Sequence, residues 1–541
     1  MRRVLIAGVP LALGALIVAG PGPAVGQTPP RETPAASGLT GEALAQFSAA
    51  VRQYRAGDYS ACAQAFAALG GAAMPIPEYA LYLSADCLAR LGDGQAAAAA
   101  AVRAADQAPD GPLAATALLL GGDQASRAGQ PEEAATALRR FLARHSDHGE
   151  AMRARFMLAQ ALQASGQGAE AAALYRQIWI KAPAARFADS AAAEELALAG
   201  RGVSVAPPTA HERLERAERL LGGRPKAARA EAEGLLSGTP APDLALGALR
   251  VVAEASRRAG EYDAAARAVD RGVSLASGAA RAPWLLDRAR LQQRQNREGA
   301  LATLRQIHQA LPGSSQAPEA LFLTARLLEE GGRSSEAEAA YLRVAAEYPD
   351  DSQAGAALWR LGWIAWQRGA PAEAAERWGR LLNVRGGQAY RDPAAYWLGR
   401  AHESRGDGEA AGRQYASVVG EAPRSYYGVL ASARLAGRSA PAAAPRGAGD
   451  QPPVALPADP IDLLRGEPGL AKADALRAVG LGEFVEGEVE ALGRRVASDP
   501  ARSYAVAAVH VDDARYHLAI RILRREFFRQ LRTDDAALPR P

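Results

Sequence analysis

The chain has few of the residues that build β-sheets, metal centres and disulfide-rich folds. Among 541 residues there are 2 cysteines and 7 histidines, and aromatic residues make up only 6%. Strands favour aromatic and β-branched residues, so this composition argues against a mainly β fold. Alanine is abundant instead, and it is the best helix former, with a side chain small enough for helices to pack closely. The composition therefore predicts an all-α protein.

Charge clusters and long apolar runs are also scarce. Basic and acidic residues nearly balance, 63 against 59, and the two signs are interspersed. Without a basic stripe that could follow a phosphate backbone, we expect no binding of nucleic acid. Beyond the N-terminus no segment approaches the roughly 18 to 20 apolar residues that cross a bilayer, so we expect no stable membrane span after signal cleavage.

The few histidines form no recognisable metal motif. His145 and His148 lie in the segment RHSDHGE, and His510 and His517 lie in HVDDARYH. Both segments fall at expected helix ends, where short polar residues are common. Neither has the ordered spacing of three or four ligands that a zinc site needs. We predict no metal site and no cofactor.

The N-terminus has the features of an export signal. Two arginines precede an apolar stretch over residues 4–20, and small residues follow before Gln27. A membrane anchor is the alternative, but a proline and several glycines weaken a spanning helix. We predict a cleaved signal peptide over residues 1–26, a periplasmic location, and a flexible linker over residues 27–40.

Glycine-containing corners recur along the chain, and near neighbours are 35 to 37 residues apart. Most corners are followed by a small residue after five positions and by a large apolar or aromatic residue after nine. The corner glycines are Gly57, Gly92, Gly129, Gly166, Gly260, Gly332, Gly369 and Gly406. The small residues are Ala134, Ala171, Ala265, Ala337, Ala374 and Ala411, and the large ones are Leu138, Tyr175, Val269, Tyr341, Trp378 and Tyr415.

Each position of this repeat has a physical reason. Glycine takes the left-handed conformation that ends a helix, and alanine lets two antiparallel helices approach closely. The large residue lies one turn further on the same face and fills the space beside that contact. This pattern is typical of tetratricopeptide-like helix hairpins, which must stack because one hairpin cannot bury its apolar face. We predict an α-solenoid, or superhelix, over residues 41–438.

The rest of the chain divides by composition. Residues 439–460 are rich in proline, alanine and glycine without periodicity, which predicts a linker. Residues 461–532 predict a second, short helical segment, and residues 533–541 a tail. Because Phe527 lies near the end of this segment, we expect other helices or a further domain to cover it.

The two cysteines have two interpretations. Cys62 occupies the small-residue position of its repeat, and Cys87 lies on the first helix of the next one. These helices are expected to be neighbours, so a disulfide is plausible in an exported chain. The alternative is a pair of small buried residues, and the sequence does not decide between them.

A set of tryptophans shares one helix face and extends into neighbouring repeats. Trp359, Trp363 and Trp366 lie on one predicted helix, with Trp378 and Trp397 in the adjacent units. Stacked aromatic rings can hold sugar rings. We favour the other interpretation, solenoid core, because these positions follow the phase of the repeat.

The pair Glu403-Ser404 is similar to the proton donor of a sugar-cleaving enzyme. A general acid needs a raised pKa and a substrate cleft. Glu403 lies three residues before the corner Gly406, at the end of a helix in an open repeat. We therefore predict a helix end at Glu403 and no catalysis.

Short segments near the end of the repeats resemble a known family. AYWLGRA (395–401) and SYYG (425–428), within residues 388–438, resemble the end of the superhelical domain of soluble lytic transglycosylases. YHLAIR (516–521) and LPRP (538–541) resemble the segment that leads into that family's catalytic domain. The similarity runs from residue 41 to the end, although only these segments exceed the general repeat pattern. The family's members are exported enzymes that cleave peptidoglycan glycan strands between MurNAc and GlcNAc.

The resemblance implies a scaffold and supplies no catalytic residue. In the family a lysozyme-like domain carries a Glu-Ser motif and a later Gly-Leu-Met-Gln, and the latter occurs nowhere in this sequence. We expect that domain to be either lost from this sequence or truly absent. The implied partners are peptidoglycan glycan strands or cell-wall proteins, and Tyr426 and Tyr427 join the tryptophans as candidate ligand-binding residues. The alternative function is a periplasmic tetratricopeptide-repeat adaptor that binds a protein partner and has no enzymatic activity.

Overall fold

The structure, a computed structural model, describes residues 38–436, 457 and 459–527. Within these ranges it contains 26 α-helices, three short 3-10 helices and no strand, so the predicted all-α solenoid is confirmed. No helix there is long and apolar enough to cross a membrane. The predicted signal peptide, most of both predicted linkers and the predicted tail lie outside the described residues.

The first eleven helices form successive hairpins. The repeat pattern is weakest near the end of this part of the chain. An irregular segment joins α9 to α10 around Val205. The helices are α1 (Gly41–Ala56), α2 (Tyr59–Leu69), α3 (Pro77–Leu91), α4 (Gly94–Gln107), α5 (Ala114–Arg127), α6 (Pro131–Arg144), α7 (Ala151–Ala164), α8 (Gly168–Lys181), α9 (Ala188–Gly200), α10 (Ala210–Leu220) and α11 (Pro225–Leu236).

The regular repeat resumes at α12 and continues to α22. Short 3-10 helices at Gly278–Arg281 and Arg385–Tyr390 precede α14 and α20. The helices are α12 (Pro242–Arg258), α13 (Tyr262–Leu275), α14 (Ala282–Gln292), α15 (Arg297–Ala310), α16 (Ala317–Glu330), α17 (Ser334–Glu347), α18 (Ser352–Gln367), α19 (Pro371–Leu381), α20 (Arg391–Ser404), α21 (Gly408–Glu421) and α22 (Tyr426–Leu435).

All eight predicted corner glycines adopt the left-handed conformation, with φ between 72° and 83°. A side chain is strained there, which explains why glycine stands at these corners. The predicted alanines five residues later are at most 1% exposed, and the large residues nine later are at most 2% exposed. The predicted corners and interhelical contacts are therefore confirmed.

The structure shows a further position of the repeat that the sequence did not predict. A small residue stands seven residues before each corner glycine. At Gly122 and Gly399 an added Cβ would lie 2.6 and 2.7 Å from the side chains of Leu138 and Tyr415. At Gly362 it would overlap the indole of Trp378. The large residue of each of these hairpins thus packs directly on the backbone of the preceding helix.

The two cysteines are joined in the structure. Cys62 on α2 and Cys87 on α3 form a disulfide with 6.5 Å between their Cα atoms, and both are fully buried. They are 25 residues apart, and closing a loop of this length contributes about 3 kcal/mol in the chain-entropy model. The bridge therefore links two neighbouring hairpins at the start of the solenoid.

Four more helices follow the repeats and return to the beginning of the chain. After a 3-10 helix at Pro460–Leu464 come α23 (Pro468–Ala478), α24 (Gly482–Arg495), α25 (Pro500–Asp512) and α26 (Tyr516–Glu526). Their apolar residues share one hydrophobic core with those of α1, α2 and α3. The C-terminal helices are therefore in contact with the start of the helical array.

The contact between the two ends combines ring packing with buried polar groups. The ring of Phe484 on α24 lies 5.3 Å from that of Tyr79 and 6.1 Å from that of Tyr82, both on α3. The Tyr79 hydroxyl donates a hydrogen bond of 2.7 Å to Glu488, and burial raises the pKa of that carboxyl. Glu78 on α3, only 2% exposed, forms an ion pair with Lys472 on α23.

Preceding helices supply the cover expected at the end of the C-terminal segment. Phe527 is 1% exposed, and its ring lies 6.0 Å from that of Tyr504 on α25.

The close approach at Gly362 predicts an unusual response to alanine. In a helix, Gly→Ala normally gains up to about 1 kcal/mol. Gly362→Ala should instead lower the free energy of unfolding by about 1–3 kcal/mol, because Trp378 is fully buried and has no room to move. Gly379→Ala on α19 is the matched control, since an added Cβ meets nothing within 4 Å and the normal gain is expected. Urea unfolding measures both, and a gain in both variants would contradict this packing.

Candidate functional site

The structure brings the predicted tryptophans into one cluster on α18, α19 and α20. The rings of Trp363 and Trp397 are 4.5 Å apart, and those of Trp366 and Trp397 are 5.7 Å apart. Trp359 is 6.0 Å from Trp378, which is fully buried at the centre of the cluster. Ring pairs at these distances prefer tilted and edge-on arrangements, as observed. The cluster is therefore built around a core residue.

The other tryptophans of the cluster are only partly buried. Trp359, Trp363 and Trp366 lie on one face of α18 and keep part of their surface in contact with solvent, as does Trp397. The ring of Trp359 also stacks on Tyr390, 5.8 Å away and at 26° between planes. The tryptophans of α18 thus fit both interpretations given above. They pack against the solenoid core, and they also present aromatic surface to solvent.

The two tyrosines that were predicted as ligand-binding residues extend this aromatic surface. The ring of Tyr427 on α22 lies 5.5 Å from Tyr396, which in turn lies 5.7 Å from Trp397. Tyr426 is 5.1 Å from Tyr427 and 72% exposed, among the most exposed large side chains of the described residues. Burial raises the pKa of the Tyr427 hydroxyl, so it stays protonated and able to donate a hydrogen bond. We refer to these rings together as the aromatic cluster. Its members are Trp359, Trp363, Trp366, Trp378, Tyr390, Tyr396, Trp397, Tyr426 and Tyr427.

Glu403 lies at the end of α20 and has structural partners. Its carboxylate accepts a hydrogen bond of 3.1 Å from the hydroxyl of Tyr415 and one of 3.3 Å from Arg434. Arg400 lies 3.3 Å from the same carboxylate. These contacts tie the carboxylate to Tyr415 on α21, to Arg434 on α22 and to Arg400 on its own helix, so it takes part in the packing of adjacent helices.

The same arrangement occurs two repeats earlier. The carboxylate of Glu329 accepts a hydrogen bond of 3.0 Å from Tyr341 and one of 2.9 Å from Arg360. The sequence separations, 12 residues to the tyrosine and 31 to the arginine, equal those around Glu403. Glu403 thus occupies a position of the repeat, which supports its interpretation as a helix end.

The histidines are placed by packing. His510 is 2% exposed, and burial lowers its pKa and that of His145. Across the ranges that the structure describes, no three histidine, cysteine or carboxylate side chains come close enough to hold a metal ion.

One set of residues escaped the sequence analysis. Arg250 stacks on the ring of Trp284, and Arg294 stacks on the ring of Tyr262. All four side chains line a pocket at the middle of the solenoid. Arg250 and Trp284 lie on the first helices of adjacent hairpins, whereas Tyr262 begins α13 and Arg294 follows the end of α14. Arginines and aromatic residues at such separations are common on helix surfaces and carry little information by themselves.

Comparisons with known proteins agree with this architecture. Residues 119–186 and 319–351 match family models described as tetratricopeptide repeat. A search of curated proteins finds no match for the chain. The class that fold and repeats define is therefore an α-solenoid with tetratricopeptide repeats.

Two solved structures are similar over most of the chain. The 70 kDa soluble lytic transglycosylase SLT70 from Escherichia coli has a TM-score of 0.51 and 14% identity, covering 89% of this chain and 70% of that chain. The complex of the 70-kDa soluble lytic transglycosylase with bulgecin A gives a TM-score of 0.50 and 15% identity, with the same coverage. At these identities the likeness shows the fold, an α-superhelix.

The equivalence of Glu403 and Glu329 makes a prediction. Glu403→Ala and Glu329→Ala should each lower the free energy of unfolding by about 1–2 kcal/mol, because each leaves a buried tyrosine hydroxyl without its acceptor. Glutamine at either position should restore most of the loss. Thermal and urea unfolding provide the measurement. A gain in stability from Glu403→Ala alone would contradict the assignment, since strained active-site residues behave in that way.

Proposed function

We propose that the chain is an exported, periplasmic superhelical scaffold of the soluble lytic transglycosylase type, which binds peptidoglycan glycan strands. One observation carries the proposal. The likeness to SLT70 covers 89% of this chain, and so includes residues of both the repeats and the C-terminal helices that pack on α3. The segments AYWLGRA and SYYG, which resemble this family, lie within the aromatic cluster.

The aromatic cluster supplies a chemical basis for binding glycan strands. Sugar rings stack their apolar faces on aromatic side chains, and the hydroxyls of Tyr426 and Tyr427 can exchange hydrogen bonds with sugar hydroxyls. Trp378 and Gly362 hold the tryptophans of α18 in place, so that little side-chain entropy is lost when a ligand binds.

The role proposed for these residues is binding and positioning of the strand. Cleavage between MurNAc and GlcNAc needs a general acid in a cleft. Glu403 is held by Tyr415 and two arginines at a repeat position, and Gly-Leu-Met-Gln does not occur in the sequence. Cleavage therefore requires a catalytic domain that supplies those groups.

The second candidate is a periplasmic adaptor that binds a protein partner without enzymatic activity. Tetratricopeptide repeats present extended surfaces formed by successive first helices, which suit peptides and proteins. The pocket at α12, α14 and α16 supports this candidate, because it lies on such a surface.

Purified peptidoglycan sacculi test the proposal. The chain from residue 27 onward should sediment with sacculi, and Tyr426→Ala combined with Tyr427→Ala should weaken the binding about tenfold, or about 1.4 kcal/mol, because two aromatic faces and two hydroxyls are lost. Tyr516→Ala, which removes a 59% exposed tyrosine from α26, is the matched control and should bind normally. The same incubation should release no anhydromuropeptides.

Three results would count against this account. No sedimentation with sacculi would remove glycan binding and favour the adaptor. An equal loss in the Tyr516→Ala control would show that any exposed tyrosine matters as much as the aromatic cluster. Release of anhydromuropeptides that Glu403→Gln abolishes would show that Glu403 is catalytic.

A further inference from the structure

Four polar side chains form a cluster where the C-terminal helices pack on α3. Glu78 and Tyr79 come from α3, Lys472 comes from α23 and Glu488 comes from α24. Glu488 is 4% exposed, and Glu78 and Tyr79 are buried more deeply still. Ionised groups lose their hydration when they are buried, so each charge here needs an opposite charge or a hydrogen bond close by. We refer to these four side chains as the junction cluster.

Within the junction cluster one lysine stands against two carboxylates. The ammonium of Lys472 forms an ion pair with Glu78. Glu488 accepts its hydrogen bond of 2.7 Å from the hydroxyl of Tyr79 instead, which is a neutral donor because burial raises the pKa of that hydroxyl. With both carboxylates ionised, one negative charge of the cluster is therefore uncompensated.

The other charges that act on Glu488 do not supply the missing compensation. Arg495 lies on the same helix, but its side chain is 57% exposed and is 3.6 Å from the carboxylate of Glu467. The charge of Glu78 opposes a second negative charge beside it. Burial and this repulsion outweigh the hydrogen bond from Tyr79 and the charges of Lys472 and Arg495, and they raise the pKa of the Glu488 carboxyl.

The sign of the pH effect follows from this arrangement. When α24 is away from α3, the carboxyl of Glu488 is solvated and has the ordinary pKa of a glutamate, about 4.3. In the contact its pKa is higher, so packing takes up a proton at a pH between the two values. The contact is therefore stabilised as the pH falls through the higher pKa, and this stabilisation is lost as the pH rises through it.

A histidine of the C-terminal helices acts in the opposite direction. Burial lowers the pKa of His510 on α25, so its protonation costs free energy as the pH falls. The charges that act on it belong to Asp513, Arg515, Glu490 and Glu486. A comparison between variants that all keep His510 cancels its contribution.

We propose that the contact between α24 and α3 is a proton-operated clasp, which closes more tightly when the Glu488 carboxyl binds a proton. Protonation leaves one carboxylate for one lysine, so the junction cluster becomes neutral. The neutral carboxyl keeps an oxygen that accepts the hydrogen bond from Tyr79. Mild acid thus tightens the packing of the C-terminal helices on the start of the solenoid, a property beyond the scaffold function proposed above.

Hydrogen exchange of the chain from residue 27 onward tests the clasp, with protection factors that correct for intrinsic exchange at each pH. Glutamine is neutral at every pH and still accepts a hydrogen bond, so Glu488→Gln imitates the protonated carboxyl. At about pH 7.5, amides of α3 and α24 should be about threefold or more better protected in Glu488→Gln than in the unchanged chain. This gain should shrink toward about pH 5, where the carboxyl itself takes up the proton.

Two further variants make the test specific. Glu483→Gln removes an exposed carboxylate from the same helix and should give no gain at either pH. In a Glu78→Gln background, Glu488→Gln should also give no gain, because Lys472 then has no carboxylate to balance it. The clasp would be overturned by no gain from Glu488→Gln at pH 7.5, by a gain of the same size at both pH values, or by an equal gain in Glu483→Gln. An equal gain in the Glu78→Gln background would overturn it as well. No sacculi are present, so these results are independent of glycan binding.

Discussion

The solenoid depends on one steric constraint, the contact between a small residue on one helix and a large residue on the next. In the hairpin of α18 and α19, Trp378 is fully buried because Gly362 leaves room for its indole. The corner Gly369, with φ of 77°, turns the chain so that these two residues face each other. The alanine or glycine that stands seven residues before each corner is therefore as much a part of the repeat as the corner glycine itself. Stacking of such hairpins then forms a continuous core from α10 to α20.

A second constraint determines how the C-terminal helices pack on the start of the solenoid. The last helices cover apolar residues of α1, α2 and α3 and form one hydrophobic core with them. Buried polar groups lie beside this core. Buried polar groups cost free energy unless they are paired, and here the hydroxyl of Tyr79 pairs with Glu488 and the carboxylate of Glu78 with Lys472. Such pairs favour one arrangement of α23 and α24 on α3 over a general hydrophobic association.

Much of this fold could be predicted from the sequence because the repeat is local. A glycine at a corner, an alanine five residues later and a large residue nine later are separated by fewer residues than one hairpin contains, so the pattern is visible along the chain. The contact between Tyr79 and Glu488 joins residues 409 positions apart and leaves no periodic signal. For that reason the sequence predicted a helical segment over residues 461–532 but not where its helices pack.

The candidate sites show the same limit. The tryptophans of α18 were visible because they share one helix face, whereas their division into buried and accessible surface depends on Trp397 and Tyr390 from neighbouring elements. The helix end at Glu403 could be predicted from its distance to Gly406 alone. Arg250 and Arg294 could not be found, because their stacking on Trp284 and Tyr262 depends on how neighbouring helices pack.

The contact between the C-terminal helices and the start of the solenoid is the central claim, and hydrogen exchange of α3 tests it most directly. Phe484→Ala removes the ring that α24 places against Tyr79 and Tyr82. If the two ends pack as described, amides of α3 should exchange about tenfold faster or more, because the loss of a large, partly buried aromatic side chain weakens the contact. Amides of α17, far from the contact along the chain, should be unchanged. Unchanged exchange in α3 would contradict the account, since it would show that the C-terminal helices do not rest on the start of the solenoid.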